Sequence, residues 1–352
     1  MATARVIPRP VPEGTVPLIA VEGTAYECGH RYGQLVLEKY PGYQRYLDAV
    51  PAWRSLPADA RRLFEQRAPY VLEVYRGLDD ATAAVTSAPA KTCPAPADRP
   101  GSCTSFGVAG SVTLAGQPIS GQTKDGPAER ALLFIVLRMH IQGGPTILVL
   151  AYPGEVLGYG LWSTGMSIFR NSVFSRGGEG KGLPMEQWGL LALAGRSVDQ
   201  AVELALGHGI STVGNFLISD PAGKSVNVES NAGGVSVVPA RDGICTHANH
   251  PVGDQTAPFE DYPSPVEKEN SRYRMARLWE LLDSARGRLT AQQAMMFLAE
   301  HSRYPYGGIC RHIYDGEPTW CTTAAVVAEP TRGRIHVTRG QPCANWPVTY
   351  SL

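Results

Sequence analysis

The sequence predicts an α+β fold: two antiparallel sheets stacked on each other, with helices outside them. Three observations carry this. Short β-type runs broken by glycine dominate the chain after residue 102. The helical stretches between those runs come in pairs. An apolar fraction of 43% in 352 residues supplies material for a large core. Stacked sheets bury their inner faces, and helices cover the outer ones.

The chain divides into two unequal parts, 1–102 and 103–352. Residues 18–85 read as helical. "TAYECGHRYGQLVLEKYPGYQRYLDAV" starts at a Thr24 cap and repeats apolar or aromatic residues at helical spacing. "PADARRLFEQRAPYVLEVYRGLDDATAAV" does the same, with an arginine-rich outer face. "TSAPAKTCPAPADRPGS" then collapses into proline, alanine and small polar residues, which is linker composition. From Cys103 onward, "CTSFGVAGSVTLAGQPISGQTKD", "ALLFIVLRMHI", "PTILVLAYPG", "MSIFRNSVF", "NFLISDPAGKSVNVESNAGGVSVVPA" and "TTAAVVAEPTRGRIHVTRG" read as strands. "SDPAGK" and "AEPTRGR" are their hairpin turns. "PMEQWGLLALAGRSVDQAVELALGHG" and "SRYRMARLWELLDSARGRLTAQQAMMFLAEH" are the helical interruptions. There is no internal repeat, and the dispersed glycines form no phosphate-binding fingerprint.

Lys plus Arg equals Asp plus Glu, 32 each, so no basic excess points to nucleic acid. "MATARVIPRPVPEG" lacks the apolar core of a signal peptide or anchor, and the most apolar stretch, 131–136, is too short to span a bilayer. The expectation is a cytoplasmic protein without a membrane partner. The seven cysteines form no CxxC pair, which fits reduced thiols better than disulfides. No metal site and no cofactor is expected: His247 and His250, in "HANH", have no second ligand pair beside them. Cys310 and Cys321 read as core residues.

Cys103 stands at the first residue of a strand, directly behind the linker. Were the chain cut before it, its own α-amine, with a pKa of about 7.7–8.0, could take the thiol proton and later hand one to a leaving amine. An inert buried thiol is the plainer reading, and position alone favours it.

Five stretches change that balance. "EGTAYECGHRYG" is similar to "GTP.EIGY.HG", "GSCTSF" to "GCTT", "SGQTKD" to "GQNWD", "THANH" to "HTNH" and "YPYGGICRH" to "YP.SICR". In this order they resemble the acyl-coenzyme A:6-aminopenicillanic acid acyltransferase family, the self-processing cysteine branch of the Ntn-hydrolases. The likeness covers residues 22–35 and 103–340 and is poorest over 36–100. It implies a four-layered αββα sandwich built of two chains, with the cleaved N-terminal chain as the partner of the larger one. It implies a cut between Ser102 and Cys103, Cys103 as nucleophile, Asn249 as oxyanion donor, and Asp125 as holder of the new amine. Arg311, Asn171 and Glu229 fall at family positions read as substrate-binding. The implied activity is cleavage or exchange of a small-molecule amide through a Cys103 thioester. The plainer readings are a turn-capping Asn249, a β-turn at Asp125–Gly126, an Arg311–Asp315 surface pair, and His247 and His250 as packing residues. The pairs Trp162–Phe169 and Phe259–Tyr262 line an acyl pocket or simply pack.

The chain departs from the pattern in three places. Ser102 replaces the glycine before the nucleophile, which reaches strained backbone less easily. The spacing from Cys103 to Asp125 is longer. Lys124 replaces an aromatic residue, turning the pocket floor cationic. "PVGDQTAPFEDYPSP", after Asn249, reads as a loop over the site. Two other classes remain open: an uncleaved, inactive member that binds a small molecule, and a papain-type hydrolase. The latter needs a helix after its thiol, and "TSFGVAGSVTLAG" is not one. No feature ties the chain to coenzyme A, so hydrolysis is favoured over acyl transfer.

Overall fold

The computed structural model describes residues 14–86, 102–177, 181–313 and 320–352. The linker over 87–101 and Asp315 lie outside the described residues.

The first element, β1 (Leu18–Gly23), is a strand where the sequence predicted helix. Its residues alternate in burial, with Ile19 and Val21 inward. Six residues with this period cannot sustain a helix, but they can add to a sheet edge. The helices α1 (Ala25–Lys39), α2 (Ala58–Arg67) and α3 (Pro69–Thr86) follow. Thr24 caps α1 as expected: its side chain accepts from the Glu27 amide, and Glu27 reaches back to the Thr24 backbone.

The remaining strands are β2 (Ser102–Val108), β3 (Ile119–Pro127), β4 (Ile135–Ile141), β5 (Thr146–Ala151), β6 (Tyr159–Trp162) and β7 (Ser167–Asn171). After α4 (Met185–Ala194) and α5 (Val198–His208) come β8 (Gly214–Ser219), β9 (Ser225–Asn231), β10 (Gly234–Pro239) and β11 (Ile244–His247). Then α6 (Pro265–Ser284) and α7 (Ala291–Leu298) precede β12 (Trp320–Glu329), β13 (Arg334–Arg339) and β14 (Val348–Ser351). The strands form an eight-stranded sheet, β1-β4-β5-β6-β7-β8-β9-β10, and a six-stranded sheet, β11-β2-β3-β12-β13-β14. Neighbours pair antiparallel, except that β1 runs parallel to β4.

Between the sheets pack Phe134, Val136, Leu148, Leu150 and Phe169 from one and Ala324, Val326, Ile335 and Val337 from the other. The outer face of the larger sheet is covered by α1, α3, α4 and α5, through Tyr32, Val74, Leu78, Trp188 and Leu204. The outer face of the smaller one is covered by α6 and α7, through Leu278, Leu282 and Leu298. The order helices–sheet–sheet–helices is the αββα sandwich. Trp162 lies in the outer core and Phe169 in the inter-sheet core, so the two do not wall one acyl pocket.

The motif "EGTAYECGHRYG" has a packing explanation. α1 and α3 cross so closely that a Cβ on Gly29 would meet the Val74 carbonyl oxygen at 1.9 Å, and one on Gly77 the Tyr26 carbonyl oxygen at 2.1 Å. The obstacle is backbone, which cannot swing aside. Gly29→Ala or Gly77→Ala is therefore expected to destabilise by roughly 1–3 kcal/mol or more. Gly207→Ala, on α5 with open space around it, should be neutral or slightly stabilising. Equal melting temperatures for all three variants would contradict this crossing.

Candidate active site around Cys103

Every residue of β2 is buried. The β2–β3 register sets Ser102 opposite Asp125 and Cys103 opposite Lys124. Because side chains alternate along a strand, these two pairs lie on opposite faces of the sheet.

Cys103 and Ser105 face the gap between the sheets. Ser105 Oγ donates to Asn171 Oδ1 at 2.7 Å, from the opposing β7. Lys124 Nζ lies 3.1 Å from Cys103 Sγ. The same ammonium sits 4.1 Å from the Tyr159 ring centre, and Arg170 sits 4.5 Å from it. Arg170 is paired with the buried Glu155. Burial pulls the Lys124 pKa down, but Cys103 first, then the Tyr159 and Tyr152 hydroxyl groups, outweigh this and raise it. Asn171 Nδ2 is buried without a hydrogen-bond partner among the described residues.

Ser102, Thr104 and Asp125 face the α6 side. Arg274, fully buried on α6, donates to the Cys103 carbonyl at 2.9 Å, to Thr104 Oγ1 at 2.5 Å and to Asn249 Oδ1 at 2.7 Å. The Cys103 amide also donates to Asn249 Oδ1, at 3.2 Å. Asn249 Nδ2 donates to the Ser172 carbonyl at 2.8 Å. A guanidinium can only donate and a carbonyl only accept, so these partners fix which way the Asn249 amide points.

Asp125 accepts from Thr322 Oγ1 at 2.7 Å, while its Oδ2 is buried with no partner among the described residues. Burial raises its pKa, with Arg311 and Arg274 partly offsetting this. Asp125 and Gly126 lie within β3 and form no turn. Arg311 is buried, not paired at the surface. It donates to Glu267 Oε1 at 2.9 Å and to the Tyr306 carbonyl at 3.2 Å, and its guanidinium carbon lies 3.6 Å from the Tyr306 ring centre. Its Nη1 has no hydrogen-bond partner among the described residues.

Glu229 lies beneath the loop after Asn249. Its oxygens accept from His247 Nε2 at 2.6 Å, from the amides of Val252 and Gly253 at 2.9 and 2.8 Å, and from Thr256 Oγ1. His250 Nδ1 meets Ser271 Oγ at 2.9 Å, and that oxygen accepts the Asn249 amide at 2.8 Å. These groups pin the segment that carries Asn249.

Arg274 is the participant that sequence reading missed. A signal existed. Arg274 falls on the same helical stripe as the buried Leu278 and Leu282, four and eight residues on, so a charge was aimed inward. Lys124 was legible as a cation near the site, but not its contact with the thiol.

No family model and no curated protein matches the sequence. Among solved structures, the chain is similar to two variants of the conjugated bile acid hydrolase from Clostridium perfringens. One is 13% identical, covering 71% of this chain and 97% of that one, with a TM-score of 0.47. The other is 14% identical, covering 71% and 89%, with a TM-score of 0.37. It is also similar to the penicillin V acylase from Agrobacterium tumefaciens: 13% identity, 70% and 84% coverage, TM-score 0.41. No helix among the described residues is long and apolar enough to cross a membrane.

The buried acid–base groups make stability depend on pH. Burial opposes the charge on Glu229, but the His247 hydrogen bond and its other donors prevail and lower its pKa from 4.5 to about 2. Burial, then His247, lowers His250 from 6.5 to about 3. In both cases the unfolded chain binds protons before the folded one, so stability rises with pH. It should decline as pH falls from 6.5 towards 3 through His250, and from 4.5 towards 2 through Glu229. His250→Gln should flatten the upper part of a melting temperature–pH curve. An unchanged slope between pH 6.5 and 4.5 would dismiss the His250 contribution.

Proposed function

We propose that the chain is an N-terminal-nucleophile amide hydrolase. It cuts itself between Ser102 and Cys103 and then cleaves a small-molecule amide through a Cys103 thioester. The observation that carries this is that both reacting atoms of Cys103 have polar side-chain partners: Sγ has Lys124 at 3.1 Å, and N has Asn249 Oδ1 at 3.2 Å. Any buried amide needs an acceptor, but a merely packed cysteine needs no amine at its sulfur. The αββα architecture and the five matched stretches support the same reading.

In self-cleavage the Cys103 sulfur attacks the Ser102 carbonyl carbon, and the C–N bond breaks as the nitrogen gains a proton. Water then hydrolyses the resulting thioester, leaving a carboxylate on Ser102 and a free amine on Cys103. In turnover that amine takes the thiol proton, the sulfur attacks the substrate carbonyl, and the amine returns a proton to the leaving nitrogen. Water releases the acid; an amine in its place would give acyl transfer. Lys124 supplies the counter-charge for the thiolate. Asp125, with its unpaired Oδ2 on the residue opposite Ser102, is suited to hold the new ammonium. Asn249 is the proposed oxyanion donor. In the uncut chain its Oδ1 holds the scissile nitrogen, so that role requires its Nδ2 to leave the Ser172 carbonyl. Asn171, Arg311 and Glu229 are proposed to shape the substrate site, Glu229 through the loop it fastens.

Intact mass should give two chains in place of 37.9 kDa, the larger one beginning Cys-Thr-Ser-Phe. Cys103→Ala should remain whole and inactive. A whole wild-type chain that still binds a small amide would favour the inactive-binder reading, for which Ser102 is the motive. Once the chain is cut, Asn249→Ala should lower kcat by about 10²–10³ with KM nearly unchanged. A raised KM at normal kcat would instead place Asn249 on the substrate. Lys124→Met should lower kcat about 10- to 100-fold, the worth of one hydrogen bond to a charge, with Lys124→Arg recovering part of it. Full activity in Lys124→Met would remove the lysine from the mechanism.

A further inference from the structure

Away from Cys103, four side chains from separate stretches converge. His301 follows α7, Cys310 and His312 flank Arg311, and Cys343 lies between β13 and β14. Each offers one donor atom, and the four atoms all lie within 4.8 Å of one another. Cys310 is buried, His301 and His312 are half-buried, and Cys343 is exposed.

The separations are informative. The two sulfurs are 3.7 Å apart, and the two Nε2 atoms 2.9 Å. His312 Nε2 lies 3.4 Å from Cys343 Sγ and 3.7 Å from Cys310 Sγ. Zinc binds sulfur at about 2.3 Å and imidazole nitrogen at about 2.0–2.1 Å. Tetrahedral angles then give edges of about 3.8 Å for S···S, 3.6 Å for S···N and 3.3 Å for N···N. The S···S edge and the two edges from His312 to sulfur lie within about 0.2 Å of these, the nitrogen pair is about 0.4 Å shorter, and the edges from His301 to the sulfurs are at most 4.8 Å. A disulfide would need its sulfurs at about 2.05 Å. Hydrogen bonding alone gives no reason for four donor atoms to point at one centre.

We propose that His301, Cys310, His312 and Cys343 form a structural zinc site. The two thiols release their protons to solvent, and two thiolates and two neutral imidazoles hold the ion, so the site carries no net charge. Four protein ligands leave no open position, which excludes a catalytic role for the metal. Soft sulfur with imidazole selects zinc over magnesium or calcium.

The position of the site gives it a task. Arg311 stands between two of the ligands. Its amide donates to Thr322 Oγ1 at 2.9 Å, its carbonyl accepts the Thr322 amide at 3.0 Å, and Thr322 Oγ1 donates to Asp125 at 2.7 Å. One metal held by the residues on both sides of Arg311 would fix this short path to the carboxylate opposite Ser102.

The test uses the full-length protein, produced with zinc and purified under reducing conditions without chelator. Elemental analysis should find one zinc per chain. Cobalt exchanged into the wild type should show the intense visible bands of tetrahedral Co²⁺ and near-ultraviolet thiolate charge transfer. Cys343→Ser, at an exposed position, should keep the wild-type circular dichroism and lose both the stoichiometric zinc and the cobalt spectrum. A folded wild type that takes up no zinc on dialysis would overturn the proposal. So would a Cys310–Cys343 disulfide in the reduced preparation, or the weak spectrum of octahedral cobalt. None of these readouts depends on catalysis, so they stand apart from the fate of the amide-hydrolase reading.

Discussion

The structure depends on one pairing register: β2 against β3, with Cys103 opposite Lys124 and Ser102 opposite Asp125. A strand repeats every two residues, so a slip of one would exchange the faces. Were β2 to slip, the thiol would turn toward α6 while the Asp125 carboxylate on β3 kept its face. Buried apolar layers on both sides hold the register, with Phe106 and Val108 under α6 and α7 and Phe169 and Leu217 in the opposing sheet. Packing far from Cys103 therefore determines what the thiol meets.

That register also explains why so much charge can lie inside the molecule. Arg274 and Arg311 are buried and Lys124 and Arg170 half-buried, and such charges are costly alone. Each has a polar partner: the Cys103 sulfur for Lys124, Glu155 for Arg170, the Cys103 carbonyl for Arg274, Glu267 for Arg311. Burial lowers the Arg274 pKa, with Arg311 beside it adding to this and Asp125 and Glu267 opposing it. A network of this kind does little for net stability, but it holds polar atoms in fixed directions.

Much of the architecture was legible from local pattern. The helix pairs, the "SDPAGK" and "AEPTRGR" hairpins and the Thr24 cap follow from spacing and turn chemistry within a few residues. β1 was not legible, because six alternating residues before a strong helix cap become a strand only when β4 offers an edge. Cys103 stood out by its position behind the linker. Arg274 did not, since two of its partners, Cys103 and Thr104, are 171 and 170 residues away in sequence. The His301–Cys343 cluster escaped for the same reason. Its residues come from a loop and a distant hairpin, without the short spacing of a Cys-x-x-Cys motif.

The parallel pairing of β1 with β4 gives the N-terminal part of the chain a particular standing. It is joined to the larger sheet by main-chain hydrogen bonds and roofed by α1 and α3, whose glycines meet backbone to backbone. A chain severed before Cys103 would keep both pieces, since removing the smaller one would bare a sheet edge and the apolar face beneath it. Were the chain cut there, the segment before Cys103 would become a subunit, and only shape and burial would keep the two polypeptides one molecule.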